Sequence, residues 1–221
     1  MTRARAGLVA PALLVAVGLL LGLVALRPPG WVVLGLIVLA FVPGRWWRWR
    51  TRRFRRGLRA LRGGRLERAR AELEAFLRDI EADPRFLRVQ PWFNLGRPYP
   101  YEVAARANLG VVDLRRGHPR RALEHFRTAL ETEPGWLPAR HGEAAALRLV
   151  GDGSGAEAAA RAVLEARPSY LPARLLLAVL LRERGATEAA ERTLTPLREK
   201  GKDPEVLIGR LLRQWEETPA S

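Results

Sequence analysis

A 34-residue unit runs from Val103 to Trp136 with the sequence VAARANLGVVDLRRGHPRRALEHFRTALETEPGW. Its turn glycine, a small alanine and its closing proline recur further along the chain at the same 34-residue step. The recurring residues are Gly117, Gly151 and Gly185, then Ala122, Ala156 and Ala190, then Pro134 and Pro168. A fixed period of this length is typical of helical repeat arrays, in which each unit is a helix–turn–helix hairpin.

The residue types inside this unit fit such a hairpin. Gly110 and Ala122 are small where two antiparallel helices cross, so the backbones can approach closely, and Leu109 and Phe126 fill the space beside the crossing. Gly117 is expected in the turn between the helices, in the left-handed conformation that glycine adopts without strain.

The unit resembles the tetratricopeptide repeat (TPR) family. Units 137–170 and 171–204 keep the pattern less completely, and a degenerate unit with Gly57, Gly64 and Ala69 precedes them. The resemblance implies an all-α solenoid of three to four helix–turn–helix repeats that binds another protein, closed by a C-terminal capping helix.

The sequence divides into six predicted segments. They are a transmembrane helical hairpin (1–44), a basic and aromatic juxtamembrane linker (45–56), a degenerate first repeat (57–84), an aromatic and proline-rich insertion loop (85–102), three TPR-like repeats (103–204) and a capping helix with a short tail (205–221).

Two apolar runs predict the membrane hairpin. No charged residue occurs from Ala6 to Leu26, which is long enough to cross a hydrocarbon core at about 1.5 Å per residue. A Pro-Pro-Gly turn follows at 28–30, and a shorter apolar run extends from Trp31 to Val42. Seven arginines within residues 45–56 then favour the cytoplasmic side by the positive-inside rule.

The predicted location is therefore the bacterial inner (cytoplasmic) membrane, with the repeats facing the cytoplasm and the chain acting as a membrane-anchored scaffold. The alternatives are a secretory signal peptide, a re-entrant second segment, and inverted topology with a secreted or periplasmic repeat module. A GxxxG pattern at Gly18 and Gly22 also allows close helix pairing, in the hairpin or in a homo-oligomer.

Arginines and tryptophans alternate just after the apolar runs, a mixture that favours anionic lipid headgroups at the bilayer interface. The predicted interface residues are Arg45, Trp46, Trp47, Arg48, Trp49, Arg50, Arg52, Arg53, Arg55 and Arg56.

The net charge of +15 is concentrated at one end of the chain. Residues 1–70 carry +14, whereas residues 71–221 carry +1, so the repeat array is almost neutral. Nucleic acid is therefore not the favoured partner, and binding of nucleic acid or anionic lipid through residues 45–70 is the alternative function.

The TPR resemblance also implies where a protein partner binds, because in this family the first helices of successive repeats line a concave groove. The corresponding positions are Ala104, Ala107, Asn108, Val111, Arg115, His141, Ala145, Arg148, Leu175, Leu176, Val179 and Arg182. Only Asn108 matches the lysine–asparagine–arginine clamp with which some members hold a C-terminal carboxylate, so an adaptor for such tails is not predicted. The apolar groove either takes an amphipathic helix or is partly filled by the 85–102 loop.

The insertion loop interrupts the repeat period and is rich in proline and aromatic residues. Its predicted anchors are Trp92, Phe93, Tyr99 and Tyr101. These rings either pack on the array itself or bind a partner.

Enzymatic chemistry is not predicted. The three histidines, His118, His125 and His141, lack metal-ligand spacing, and the chain has no cysteine. The glycine-rich stretch at 151–155 falls at a predicted turn between helices and lacks the Gly-Lys-Ser/Thr of a phosphate loop. We therefore predict no catalytic residue, no metal site and no cofactor.

Overall fold

The computed structural model describes residues 29–31, 35, 45–85 and 100–216, with side chains described as far as residue 213. The chain forms two compact units, residues 1–50 and 51–221. In the first unit residues 45–50 are helical, and Trp46 and Trp49 within them are exposed.

The described part of the second unit contains nine helices, which confirms the all-α prediction for these residues. They are α1 (Arg52–Arg62), α2 (Leu66–Ala82), α3 (Tyr101–Arg115), α4 (Pro119–Thr132), α5 (Leu137–Leu149), α6 (Gly153–Ala166), α7 (Leu171–Glu183), α8 (Thr187–Arg198) and α9 (Pro204–Glu216).

The first eight helices form four hairpins, in which α1 packs on α2, α3 on α4, α5 on α6 and α7 on α8. A glycine with positive φ stands in the turn of each hairpin: Gly64 at 70°, Gly117 at 72°, Gly151 at 90° and Gly185 at 82°. A side chain would strain the backbone in this conformation, so the turns explain why the glycines recur. The predicted helix–turn–helix array is confirmed.

Adjacent hairpins are held together by a large ring packed against glycines. Phe126 of α4 is completely buried. A Cβ on Gly110 of α3 would lie 2.7 Å from the Phe126 ring, and one on Gly142 of α5 would lie closer still. Phe126 therefore fills the space between its own hairpin partner and the first helix of the next repeat.

The last helix, α9, does more than close the end of the array. Asp203 begins it, because its Oδ1 accepts a hydrogen bond from the backbone N–H of Glu205 at 2.9 Å. The helix then contacts α7 and α8 of the last hairpin and also α3, two hairpins earlier.

No helix among the described residues is long and apolar enough to cross a membrane. The longest, α2, has 17 residues and carries charged side chains in every turn, whereas a span needs about 20 predominantly apolar residues. This finding contradicts the predicted integral inner-membrane location with cytoplasm-facing repeats, and that prediction is corrected here. The predicted apolar runs, 6–26 and 31–42, and the Gly18/Gly22 pair lie outside the described residues apart from Trp31 and Gly35.

Gly142→Ala tests the packing of Phe126. The added methyl group collides with a buried ring that cannot move freely, so we expect a loss of roughly 1–3 kcal/mol in the free energy of unfolding. Thermal and urea denaturation followed by circular dichroism measure this loss. Gly209→Ala is the control, because a Cβ there meets only the end of the Arg213 side chain at 3.5 Å. Equal stability of the two variants would contradict the packing role.

Candidate functional site

The concave groove is the surface formed by the first helices of the hairpins, α3, α5 and α7. These helices are neighbours, since α3 contacts α5 and α5 contacts α7, although the second helix of a hairpin separates them in sequence. The three helices therefore lie side by side, as the TPR resemblance implies.

The groove is occupied by helix α9 of the same chain. Ile208 and Leu211 of α9 are 7% and 6% exposed, and they belong to one buried cluster with Ala107 of α3 and with Leu175 and Val179 of α7. Because α9 contacts both α3 and α7, it crosses the face between them. A helix that stacked only on α8 would not reach α3.

The apolar residues predicted to bind a partner are consequently covered. Ala104 and Ala107 of α3 are 2% and 5% exposed, and Leu175 and Val179 of α7 are 4% and 7% exposed. Val111 is half-buried and packs against the same cluster. Ala145 and Leu176, also predicted for the groove, are instead fully buried in the packed interior of the array.

The polar groove residues near the amino-terminal hairpins already have partners within the chain. The Asn108 side chain donates to the backbone oxygen of Ala104, one turn earlier, at 2.6 Å. Arg115 donates to the backbone oxygen of Leu61 at 3.0 Å and thereby ties α3 to the end of α1. The side-chain amide of Asn108, the single match to the clamp, is therefore already hydrogen-bonded within its own helix.

The arginines near the other end of the groove form ion pairs. Arg148 of α5 binds Glu183 of α7, with the closest N–O distance 2.7 Å. Arg182 of α7 binds Glu205 of α9 through two hydrogen bonds, at 2.7 and 2.9 Å, and also binds Glu191 of α8 at 2.8 Å. The hydrogen bonds from Arg182 lower the pKa of both Glu191 and Glu205.

His141 of α5 is buried, and its ring centre lies 5.8 Å from that of Tyr170. Burial lowers the pKa of His141 to about 4, because the charged imidazolium loses its hydration. The side chain is therefore neutral at pH 7 and acts as part of the packed core.

A buried carboxylate that sequence reasoning missed joins three helices. Asp113 of α3 is 1% exposed, and its Oδ1 lies 2.8 Å from Nη1 of Arg70 on α2. Its Oδ2 lies 3.3 Å from Nε2 of His125 on α4. Burial alone would raise the pKa of Asp113, but His125 and Arg70 outweigh burial and hold that pKa below its usual value. His125 faces this carboxylate.

Only one of the four predicted loop anchors, Tyr101, lies among the residues that the structure describes. Trp92, Phe93 and Tyr99 lie outside the described residues. Tyr101 begins α3, and its ring packs edge-on against Phe54 of α1 with the centres 5.3 Å apart. Tyr101 therefore joins the first two hairpins.

The basic residues predicted for a membrane interface lie on helices. Residues 45–50 are helical, and Arg52, Arg55 and Arg56 of α1 are exposed. Arg53 pairs with Asp79 of α2 at 3.0 Å. A cleft of about 320 Å³ between α1 and α2 is lined by Arg52, Arg53, Arg56, Arg68, Ala71 and Glu72.

The described residues hold no group of three or more histidine, aspartate or glutamate side chains that could bind a metal ion. The glycine-rich stretch at 151–155 is a turn and a helix start. The Asp152 carboxylate there accepts a hydrogen bond from the backbone N–H of Gly155 at 2.8 Å, which caps α6.

Four stacked hairpins with positive-φ glycine turns define an α-solenoid. Residues 147–212 of the chain match the protein-family model described as Tetratricopeptide repeat. The TPR resemblance predicted from the unit at 103–136 is supported over these residues. The sequence matches no curated protein.

A solved structure of a tetratricopeptide repeat protein shows the same fold. A crystal structure of a tetratricopeptide repeat protein from Parabacteroides merdae ATCC 43184 aligns with a TM-score of 0.55 at 17% identity over 74% of this chain. The alignment spans 59% of that protein, less than two thirds of its length. MamA MSR-1 aligns with a TM-score of 0.42 at 16% identity, covering 70% of this chain and 99% of that one. MamA AMB-1 aligns with a TM-score of 0.42 at 17% identity, covering 72% and 96%.

His141 predicts how stability depends on pH. Its folded-state pKa of about 4 lies below the ordinary value of 6.5, so between these values the unfolded chain binds more protons than the folded chain. Stability therefore falls as the pH drops from about 6.5 through 4, by roughly 3 kcal/mol from this residue. Urea denaturation at several pH values measures the loss.

His141→Gln removes the titrating ring and should reduce the loss of stability across this pH range. The control is His118→Gln, which changes an exposed histidine and leaves His141 in place, so the acid sensitivity should persist. An unchanged pH dependence in His141→Gln would show that another group causes it.

Proposed function

We propose that this chain is a protein-interaction scaffold that binds a helical segment of another protein in the concave groove and performs no catalysis of its own. One observation carries the proposal: in this structure the groove already holds a helix, α9, through buried apolar side chains and an ion pair. A surface that fits one amphipathic helix has the shape and chemistry to fit another.

The neutral charge of the array supports a protein partner, because residues 71–221 carry a net charge of only +1. The polar residues of the groove are few, and its floor consists of alanine, leucine and valine side chains. Such a floor recognises apolar side chains by shape, and Arg182 at the end of the groove fixes the direction of the bound helix.

Val111→Arg tests this function. Val111 lies on α3 and packs against the buried cluster. A charged side chain at this position should obstruct any helix that enters the groove. In affinity capture with cross-linking and mass spectrometry, we expect the proteins bound to the unchanged chain to fall at least tenfold with this variant. Ala158→Arg is the control, since Ala158 is exposed on α6 outside the groove. Equal capture by both variants would rule out the groove as the binding surface.

The arginine-lined cleft between α1 and α2 supports a second candidate function, binding of nucleic acid. Four arginines line this cleft, with Glu72 as its acidic residue. A phosphate backbone is attracted to such a surface without sequence specificity, and the binding weakens as the salt concentration rises, because the release of condensed counterions is then less favourable.

A labelled single-stranded oligonucleotide tests the second function. Arg56→Glu combined with Arg68→Glu should weaken binding at least tenfold at low salt and flatten its salt dependence. The control combines Arg120→Glu and Arg121→Glu, which changes two exposed arginines of α4 by the same charge. Equal weakening by the two pairs would mean that the cleft has no special role.

A further inference from the structure

Helix α9 has the composition of a ligand for the groove. Its buried residues Ile208 and Leu211 are three positions apart, and Leu207 and Leu212 beside them are half-buried and pack against the same cluster. Val206, on another face of the helix, is 47% exposed. One face of α9 is therefore committed to the groove, as in helices that bind a partner protein through an apolar stripe.

The amino-terminal turn of α9 adds a charged contact. Glu205 receives two hydrogen bonds from the planar guanidinium of Arg182, a paired geometry that fixes direction as well as position. The carboxylate stands three residues before Ile208, which stands three before Leu211, so each is a neighbour of the next on the helix surface and Glu205 lies at the edge of the buried face.

We propose that α9 is an intramolecular surrogate for the partner, and that the natural partner is an amphipathic helix with the same chemistry. That helix has a carboxylate in its first turn for Arg182, followed by apolar side chains three and six or seven positions later. The partner gains access by displacing α9, and this inference rests on the proposed function of the groove.

The contacts of α9 fit a displaceable element. A helix of 13 residues is marginal by itself, so α9 depends on the groove for its order. Residues 199–203 tether it to α8, and a short tether keeps the helix at an effective concentration on the order of millimolar. A partner must therefore bind the open groove tightly enough to compete with this local concentration.

The array keeps its own contacts when α9 leaves. Arg182 retains Glu191 of α8 as a partner at 2.8 Å, and Glu191 also pairs with Arg198 of the same helix. Arg148 retains Glu183. Release of α9 therefore exposes the apolar floor without leaving Arg182 or Arg148 without an acidic partner.

A peptide supplied separately tests the proposal in the full-length chain. The probe is a fluorescein-labelled peptide of residues 203–216, and its binding is followed by fluorescence anisotropy. In the unchanged chain α9 competes with the probe. Ile208→Asp combined with Leu211→Asp should eject α9, so we expect the probe to bind this variant at least tenfold more tightly.

Val206→Asp is the matched control. It introduces the same charged group at an exposed position of the same helix, and it should leave the affinity for the probe as in the unchanged chain. A probe that itself carries the two aspartates should not bind the opened groove. Equal affinity of the probe for the unchanged chain and for the Ile208→Asp, Leu211→Asp chain would overturn the proposal.

If the Ile208→Asp, Leu211→Asp chain fails to fold, as shown by the loss of its melting transition, Glu205→Arg tests the proposal instead. Glu205 is more than half exposed, so its replacement removes the ion pair with Arg182 and leaves the apolar core intact. Surface pairs of this kind contribute up to about 1 kcal/mol to stability. We therefore expect the probe to bind this variant about threefold more tightly than it binds the unchanged chain. No change with this variant would overturn the proposal.

The two proposals fail in different ways. If the probe binds all chains equally while capture still depends on Val111, the groove binds partners but α9 is not their surrogate. If the probe binds the opened groove and capture is insensitive to Val111→Arg, the surrogate contact is real but the scaffold function uses another surface.

Discussion

The arrangement of the repeats depends on the close packing of Phe126 against Gly110 and Gly142. The ring is fully buried, and neither glycine position has room for a methyl group. This packing fixes how near α3 and α5 approach, because both helices press on the same ring. The concave groove is formed by the same helices, so this packing helps to set the distance between its walls.

The same interface one repeat later has the large and small residues exchanged. In the unit 137–170, Ala160 stands where Phe126 stands in the unit 103–136. In the unit 171–204, Leu176 stands where Gly142 stands in the unit 137–170. Both residues are completely buried. A small residue on one side is thus matched by a large one on the other, which conserves the volume of the interface. A single unit read by itself does not show this exchange.

The 34-residue period predicts the hairpins, the positive-φ turns and the buried small residues, because each of these depends on local spacing. It does not predict where α9 lies. Pro204, Ile208 and Leu211 form the same apolar stripe whether the helix caps α8 or crosses the groove, and the deciding contact is with α3. Asp113 was missed for a related reason: its partners Arg70 and His125 lie on two other helices, and nothing in its own neighbourhood distinguishes it from a surface aspartate.

The occupied groove changes what determines affinity for a partner. In an empty groove, a helix gains the full burial of its apolar face, at about 25 cal/mol per Å². Here Ile208 and Leu211 already bury that surface, and Glu205 already pairs with Arg182. A partner therefore gains only the difference between its own contacts and those of α9. A helix without the acidic first turn would leave Arg182 with Glu191 alone and would give up the paired contact that Glu205 makes. Displacement of α9 costs every competing helix the same free energy, so a weakly bound generic helix no longer competes, whereas one that reproduces the charge and spacing of α9 still does.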